Sequence, residues 1–457
     1  NHDQAKDTMA DTTFSFTHSA LEHIASRVLE QARALGATSA EVDVSEGIGQ
    51  TVSVRLAEVE TIEYNRDKGI GVTVYLGQRK GHASTSDFSV SALRETVDAA
   101  LNIARFTAED DCAGLPAAEL LATREQGFAD LDLYHPWQLS VDEAADLARR
   151  CERAAFDVSP QVTNSEGASV SIQEGHFVSA NSLGFMGGYP TSRHYLSCSV
   201  IAGKDDAMQR DDWYSTSRNP EHIAAAEAIG DYAARRALSR LGARKIKTCK
   251  VPVLFEAPLA ASLIGNFAHA ASGGSLYRKT SFLLDCLGRR IFPENMRISE
   301  RPHLPGGLAS STFDNDGVAT RDRELVMDGV LQGYFLSAYT ARKLGMATTG
   351  NAGGCHNLIV QSGQHDFSGL LKKMGRGLLV TELLGQGVNY VTGDYSRGAA
   401  GYWVEGGEIQ HAVEEITIAG NLRDMFLNIV DVGNDVVVRG SRQVGSILVA
   451  EMKIAGV

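Results

Sequence analysis

The stretch SVDEAADLARRCERAAF, residues 140–156, repeats a device first met in SALEHIASRVLEQARAL, residues 19–35. Each opens on a Ser-x-x-Glu pair, Ser19 with Glu22 and Ser140 with Glu143. In such a capping box the hydroxyl and the carboxylate each accept an orphan N–H at a helix start. Behind the first pair, Leu21, Ile24, Ala25, Val28 and Leu29 recur at helical spacing. Each helix is followed by alternating segments. The first set is AEVDVSEG, QTVSVRLAEVETIEYN and GIGVTVYLGQRKGHAST; the second is SVSIQEGHFVSAN and SRHYLSCSVIAGKDD. The alternation is plain at Val52, Val54, Leu56 and at Val72, Val74, Leu76, as a half-buried strand requires.

Asn65 ahead of Gly69 and Gly71, and Asn181 ahead of Gly184 and Gly187, predict hairpin turns, because both residue types tolerate positive φ. Each set closes with a second helix. One is SVSALRETVDAALNIARF, residues 89–106; the other opens on Asn219-Pro220-Glu221, a cap, a first-turn proline and a first-turn acid. From Val251 the texture changes. VPVLFE reads as a buried strand, and APLAASLIGNFAHAA as a small-residue helix ended by Gly273-Gly274. Short strands follow, including DNDGVAT, RGLLVTELLG, NDVVVRG and GSILVAEMKIAG, with hairpin turns at Asp328-Gly329 and Gly406-Gly407.

The fold class is therefore α+β: a duplicated helix–antiparallel sheet–helix N-terminal half, then a β-rich, barrel-like C-terminal domain. The expected divisions are 1–18, a disordered N-terminus or carried-over upstream sequence with Met9 as the native start; 19–108, the first repeat; 109–139, a polar connection; 140–242, the second repeat; and 243–457, the β-rich domain.

With 43 basic against 56 acidic residues, the net charge of −13 disfavours direct nucleic-acid binding. The one dense basic run, Arg244 to Lys250, reads as a solvated linker. Six dispersed cysteines without a C-x-x-C pair fit reduced thiols in the cytoplasm. No apolar run is long enough to span a membrane.

The familiar catalytic patterns are absent: no phosphate-binding loop, no G-x-S-x-G elbow, no H-E-x-x-H. GIGVTV lacks a third glycine and sits between strands, so it is not a dinucleotide fingerprint. His269 stands alone on its helix. Two glycine-rich segments, residues 338–354 and 384–403, mix glycine with polar side chains that suit an extended peptide backbone. Their candidate contacts with peptide or partner are Tyr339, Arg342, Asn351, Asn389, Asp394, Ser396 and Arg397. Alanine at Arg397 or Asn351 is expected to weaken function and spare the fold.

NRDKGIGVTVYLG, VPVLFEAPLAASLIGNF, LYRKTSFL, FDNDGVAT, GVLQGYFLSAYTARKLGMATTGNAGG, VNYVTGDYSRGAAGYWVEGGEIQHAVEEITIAGNL and GSRQVGSILVAEMKIAG together resemble the TldD/PmbA family, in its PmbA (TldE) branch. The resemblance implies membership of a metallopeptidase family whose TldD branch carries an HExxxH helix and a late cysteine around zinc. Aligned on Arg278-Lys279, those motif positions fall here on Gly265, Asn266 and Ala270, and the last cysteine is Cys355. The stretch that would hold the late thiolate reads VRGSRQVGS.

Catalytic zinc needs about three protein ligands and a base beside its water. The expectation is accordingly a subunit with no metal and no catalytic residue of its own. By resemblance, it joins a zinc-bearing TldD-type partner in a cytoplasmic heterodimer that degrades or processes unfolded peptides. The resemblance also implies microcin maturation, antitoxin degradation and modulation of DNA gyrase. A homodimer is expected when the partner is missing. A self-sufficient peptidase with an unrecognised site, and a binding protein acting on gyrase or toxin systems, stay open as alternatives.

Overall fold

The computed structural model describes residues 14–457. Helix α1, His18–Ala34, leads into strands β1, Ser39–Arg55, β2, Glu58–Leu76, and β3, Arg79–Thr85, and helix α2, Val90–Phe106, closes the unit. The second unit runs α3, Val141–Val158; β4, Val162–Asn181; β5, Met186–Ala202; β6, Gln209–Ser217; and α4, Ala226–Ser239. The two units share one antiparallel six-stranded sheet in the order β3-β2-β1-β4-β5-β6, joined along β1 and β4.

One face of this sheet lies under the helices. Val42, Val44, Val72 and Val74 pack against α1 and α2, while Val52, Val54, Val170 and Leu196 pack against α3 and α4. The α3–α4 contact is close because its residues are small: a Cβ on Gly230 would stand 1.9 Å from the Cys151 carbonyl oxygen.

Several local expectations are corrected. Thr17, not Ser19, caps α1, its hydroxyl accepting from the Ala20 N–H at 3.0 Å. The Ser140–Glu143 box forms as read. Asn65 lies inside β2, opposite Gly49, and makes no turn. The hairpin instead turns at Leu56-Ala57, with φ of 51° and 67°. No glycine or asparagine signals that turn. It is held from outside by buried Glu152 of α3, whose carboxylate accepts the Leu56 and Ala57 N–H groups at 3.0 and 2.8 Å. Asn181 does sit at a turn, accepting from the Leu183 N–H at 2.9 Å.

Asn219 caps only a single turn, Pro220–His222, before α4 begins at Ala226. The disordered leader expected over 1–18 fails from Phe14 onward: Phe14 is buried, and Glu46 accepts the Ser15 and Phe16 N–H groups. The rest of that expectation lies outside the described residues.

In the second half, β7, Cys249–Phe255, β12, Gly377–Leu384, β13, Asp394–Glu405, β14, Glu408–Asn421, and β17, Ile447–Ala455, form a ring in the order β14-β13-β12-β7-β17, and β15, Ile429–Val432, pairs with β17 beside it. Pairing of Thr417 with Ala455 and Ala419 with Lys453 closes it into a five-stranded barrel. A separate sheet holds β8, Ile298–Glu300, β9, Arg323–Met327, β10, Val330–Leu331, β11, Leu358–Val360, and β16, Arg442–Gln443. The Asp328-Gly329 and Gly406-Gly407 turns form, all four residues at positive φ. DNDGVAT is a turn with two isolated bridges, Leu121 to Val318 and Phe313 to Ala319, and residues 434–438 are irregular, so neither is a strand.

Helix α5, Ala257–Ala270, leaves the end of β7 with Pro258 in its first turn. Its Leu263, Ile264, Phe267 and Ala270 are buried with Val253 and Phe255 of the barrel and Phe292 and Phe335 beyond it. The helix ends at Ala271, and Gly273-Gly274 start another short helix, Gly273–Tyr277, instead of forming the cap.

Candidate functional site: the cavity beside helix α5

The face of α5 opposite its core carries Gly265, Ala268 and His269, with Ser272 just past its end. It borders a cavity of about 460 Å³. The far wall is the loop Asn351 to Cys355 with Phe335, Ser337 and Thr340, and Arg442 completes it.

Arg442 enters from β16, which pairs parallel to β11 with Leu358 opposite Arg442. The Leu358 N–H donates to the Ser441 carbonyl at 2.7 Å, fixing the strand. Its guanidinium lies flat on Gly265: a Cβ there would stand 2.9 Å from Nη1 and 3.0 Å from Cζ. Among the described residues Arg442 makes no hydrogen bond or ion pair, and its Nε is shielded from solvent without a partner.

The three positions aligned with the zinc motif separate. Gly265 borders the cavity. The Asn266 amide oxygen accepts from the Tyr390 hydroxyl at 3.1 Å. Ala270 is fully buried in the core on another side of the helix. His269 does face the cavity, its ring 4.0 Å from that of Tyr390. Cys355 lines it too, but burial pushes its thiol above the ordinary value and Glu300 adds to the rise, against weaker pulls from Ser441 and Arg442.

These groups do not fit a zinc ion. One imidazole and one thiol face the cavity, short of the three protein ligands a zinc site needs, and a guanidinium occupies the side where a ligand at 265 would enter. Among the described residues no group of three or more His, Cys, Asp or Glu side chains is arranged to hold a metal.

The candidate peptide contacts fall into two places. Tyr339 and Arg342 of the C-terminal domain hold the connection, and Asn351 is tied within that domain. The Tyr339 hydroxyl donates to Asp110 at 2.7 Å, and Arg342 donates to the carbonyls of Cys112, Gly114 and Leu115 at 3.2, 3.0 and 2.6 Å. Asn351 is 5% exposed and its amide is fully engaged. Its Nδ2 donates to Glu300 at 2.9 Å and to the Gly354 carbonyl at 3.2 Å, while its Oδ1 accepts from Arg323 at 2.9 Å and Thr349 at 2.7 Å. All three are internal rivets, against the expectation that alanine at Asn351 would spare the fold.

Asn389, Asp394, Ser396 and Arg397 gather where the chain enters β13. Asn389 accepts from the Val391 N–H, Asp394 from the Thr392 hydroxyl, and Arg397 donates to the Gly385 carbonyl, at 3.0, 3.0 and 2.8 Å. Asn389, Asp394 and Ser396 remain exposed. None of the four lines the cavity. Sequence reasoning missed Arg442, although it singled out the VRGSRQVGS stretch in which Arg442 lies.

Three family models match in order along the chain: PmbA/TldA metallopeptidase domain 1 over residues 40–104, the central domain over 134–241 and the C-terminal domain over 248–456. Metalloprotease PmbA of Escherichia coli O157:H7 is 50% identical over 436 residues, 95% of this chain and 96% of the relative. A PmbA homolog of Haemophilus influenzae is 48% identical over 437 residues, with the same coverage of 95% and 96%. A Bacteroides thetaiotaomicron protein described as a candidate modulator of DNA gyrase superposes with a TM-score of 0.90 at 25% identity, covering 95% of this chain and 99% of that one. TldE of Thermococcus kodakarensis shares the fold, with a TM-score of 0.83 at 20% identity over 95% of this chain and 100% of that one.

Proposed function

The chain belongs to the PmbA/TldD metallopeptidase family, and we propose that within it the chain is a TldE-type, non-catalytic subunit of a two-chain zinc peptidase acting on unfolded peptides. The observation that carries this reading is the Arg442 guanidinium seated on Gly265, a fixed cation where a catalytic member of the family is expected to place a metal ligand. Zinc is then supplied by a TldD-type partner, and the pair acts in the cytoplasm.

Two surfaces support a partner role. Residues 58–68 of β2 are exposed, and among the described residues this part of the strand pairs only with β1, because β3 joins β2 from Ile70 onward. Ile62 and Tyr64 are 55% and 62% exposed there. An unpaired strand edge with large apolar side chains is a template for another chain. The sheet face away from the helices carries small polar groups, with Thr51–Ser171 and Ser53–Ser169 hydroxyl pairs at 3.1 and 3.2 Å, a hydrophilic wall suited to extended peptide.

The test is hydrolysis of an unfolded peptide by this chain, by a TldD-type subunit, and by their mixture. Turnover by the mixture at a rate well above either alone is expected. Metal-dependent turnover by this chain alone would overturn the reading.

A further inference from the structure

We infer that the cavity beside α5 is a carboxylate-binding site anchored by Arg442, taking the carboxylate of a peptide. The proposal concerns this chain alone and does not depend on the partnership proposed above.

The charge in the cavity points to an anion. Among the lining residues Arg442 carries the one fixed charge, and none is Asp or Glu. A carboxylate behind the wall, Glu300, is spent: it is 1% exposed, ion-paired with Arg323 at 3.1 Å, and it accepts from Asn351 and the His356 N–H at 2.9 Å each. A guanidinium without an ion pair, partly withdrawn from water, is stabilised by an opposite charge that enters the same space. Its planar fork matches a carboxylate better than any neutral group.

The shape is also suited. Gly265 gives the guanidinium its seat, since a Cβ would stand 2.9 Å from Nη1. Gly353 and Gly354, at φ of 95° and 123°, add no side chain of their own to the opposite wall. His269 faces the same space with a ring that can donate a second hydrogen bond. A volume of about 460 Å³ admits one or two peptide residues behind the carboxylate.

The carboxylate could be a peptide's C-terminus or an acidic side chain, and one experiment separates them. Three N-acetylated, unlabelled alanine tetrapeptides are titrated into the full chain and followed by calorimetry: one with a free C-terminus, one ending in an amide, and one ending in an amide with an internal Asp. Tighter binding of the free acid alone identifies the terminal carboxylate. Tighter binding of the Asp peptide alone identifies a side chain, and tighter binding of both identifies any carboxylate. Equal affinity for all three peptides, or none for any, overturns the proposal without needing a variant. For a peptide that binds, Arg442→Gln should weaken affinity tenfold or more and Arg442→Lys by a smaller factor; unchanged affinity in folded Arg442→Gln also overturns it.

Discussion

At Asn351 the side-chain amide has no capacity left. Two donations and two acceptances tie it to Glu300, Arg323, Thr349 and Gly354. Removing it strands a buried carboxylate and a buried guanidinium with fewer partners. Asn351→Ala is expected to lower unfolding free energy by about 2–4 kcal/mol, read by denaturant titration. Arg397 is the contrasting case. It donates to the Gly385 carbonyl, and its Nε has no hydrogen-bond partner among the described residues, so Arg397→Ala should cost less than about 1 kcal/mol in the same titration. The sequence treats these two residues alike, as polar side chains in glycine-rich stretches. Their difference lies in burial and in partners dozens of residues away, which local pattern does not encode. Arg442 is similar: only the pairing of β16 with β11 carries it to Gly265.

Among the elements, the β1–β2 hairpin shows why a turn can escape the sequence. Leu56 and Ala57 adopt left-handed conformations that cost L-residues about 1–2 kcal/mol each. Glu152, on a helix nearly a hundred residues later, offsets that cost by accepting both N–H groups, and the Ser165 hydroxyl donates to it at 2.7 Å. Glu152→Ala should therefore destabilise by about 2–4 kcal/mol, and Leu56→Asn with Ala57→Gly should restore part of the loss in a double-mutant cycle followed by thermal melting. The helix periodicity, the Ser140–Glu143 box and the glycine turns were legible because each is a local signal. The alternation at Val52–Leu56 was legible as strand but not as the end of one. On the exposed edge of β2, Ile62→Lys with Tyr64→Lys should leave the melting temperature within a few degrees and abolish co-elution with a TldD-type subunit if that edge is the contact.

For the whole molecule, the two halves meet partly through carboxylates. Glu41 of β1 and Asp314 are both pushed up to about 7, chiefly by burial and then by the charge of Asp316, and Asp316 is itself raised by burial. A carboxyl group raised in the folded state binds protons there that the unfolded chain releases. Its stabilising contribution is present below the unfolded value near 4.5 and is lost as pH rises through about 7. Relative to the parent chain, Glu41→Gln should gain stability between pH 5 and pH 8, on the order of 1 kcal/mol after allowance for solvent screening, measured as the difference in melting temperature across that range. A constant difference would mean that the seam is not charged as described.

The architecture at this scale was legible in outline. Duplicated helices and strands foretold two units, and dense glycine turns foretold a β-rich second half. That the units merge into one sheet, and that β14 meets β17 to close a barrel, depends on pairings far apart in the chain. Those follow from packing and not from any local run of residues.

The proposed role requires that this chain hold no catalytic metal by itself. The most direct measurement is zinc stoichiometry of the purified chain after reconstitution with zinc and exhaustive dialysis. Well under 0.1 zinc per chain, on the order of a trace, is expected, because the cavity beside Arg442 offers one imidazole and one thiol and no third ligand. About one tightly held zinc per chain, resistant to dialysis, would contradict it.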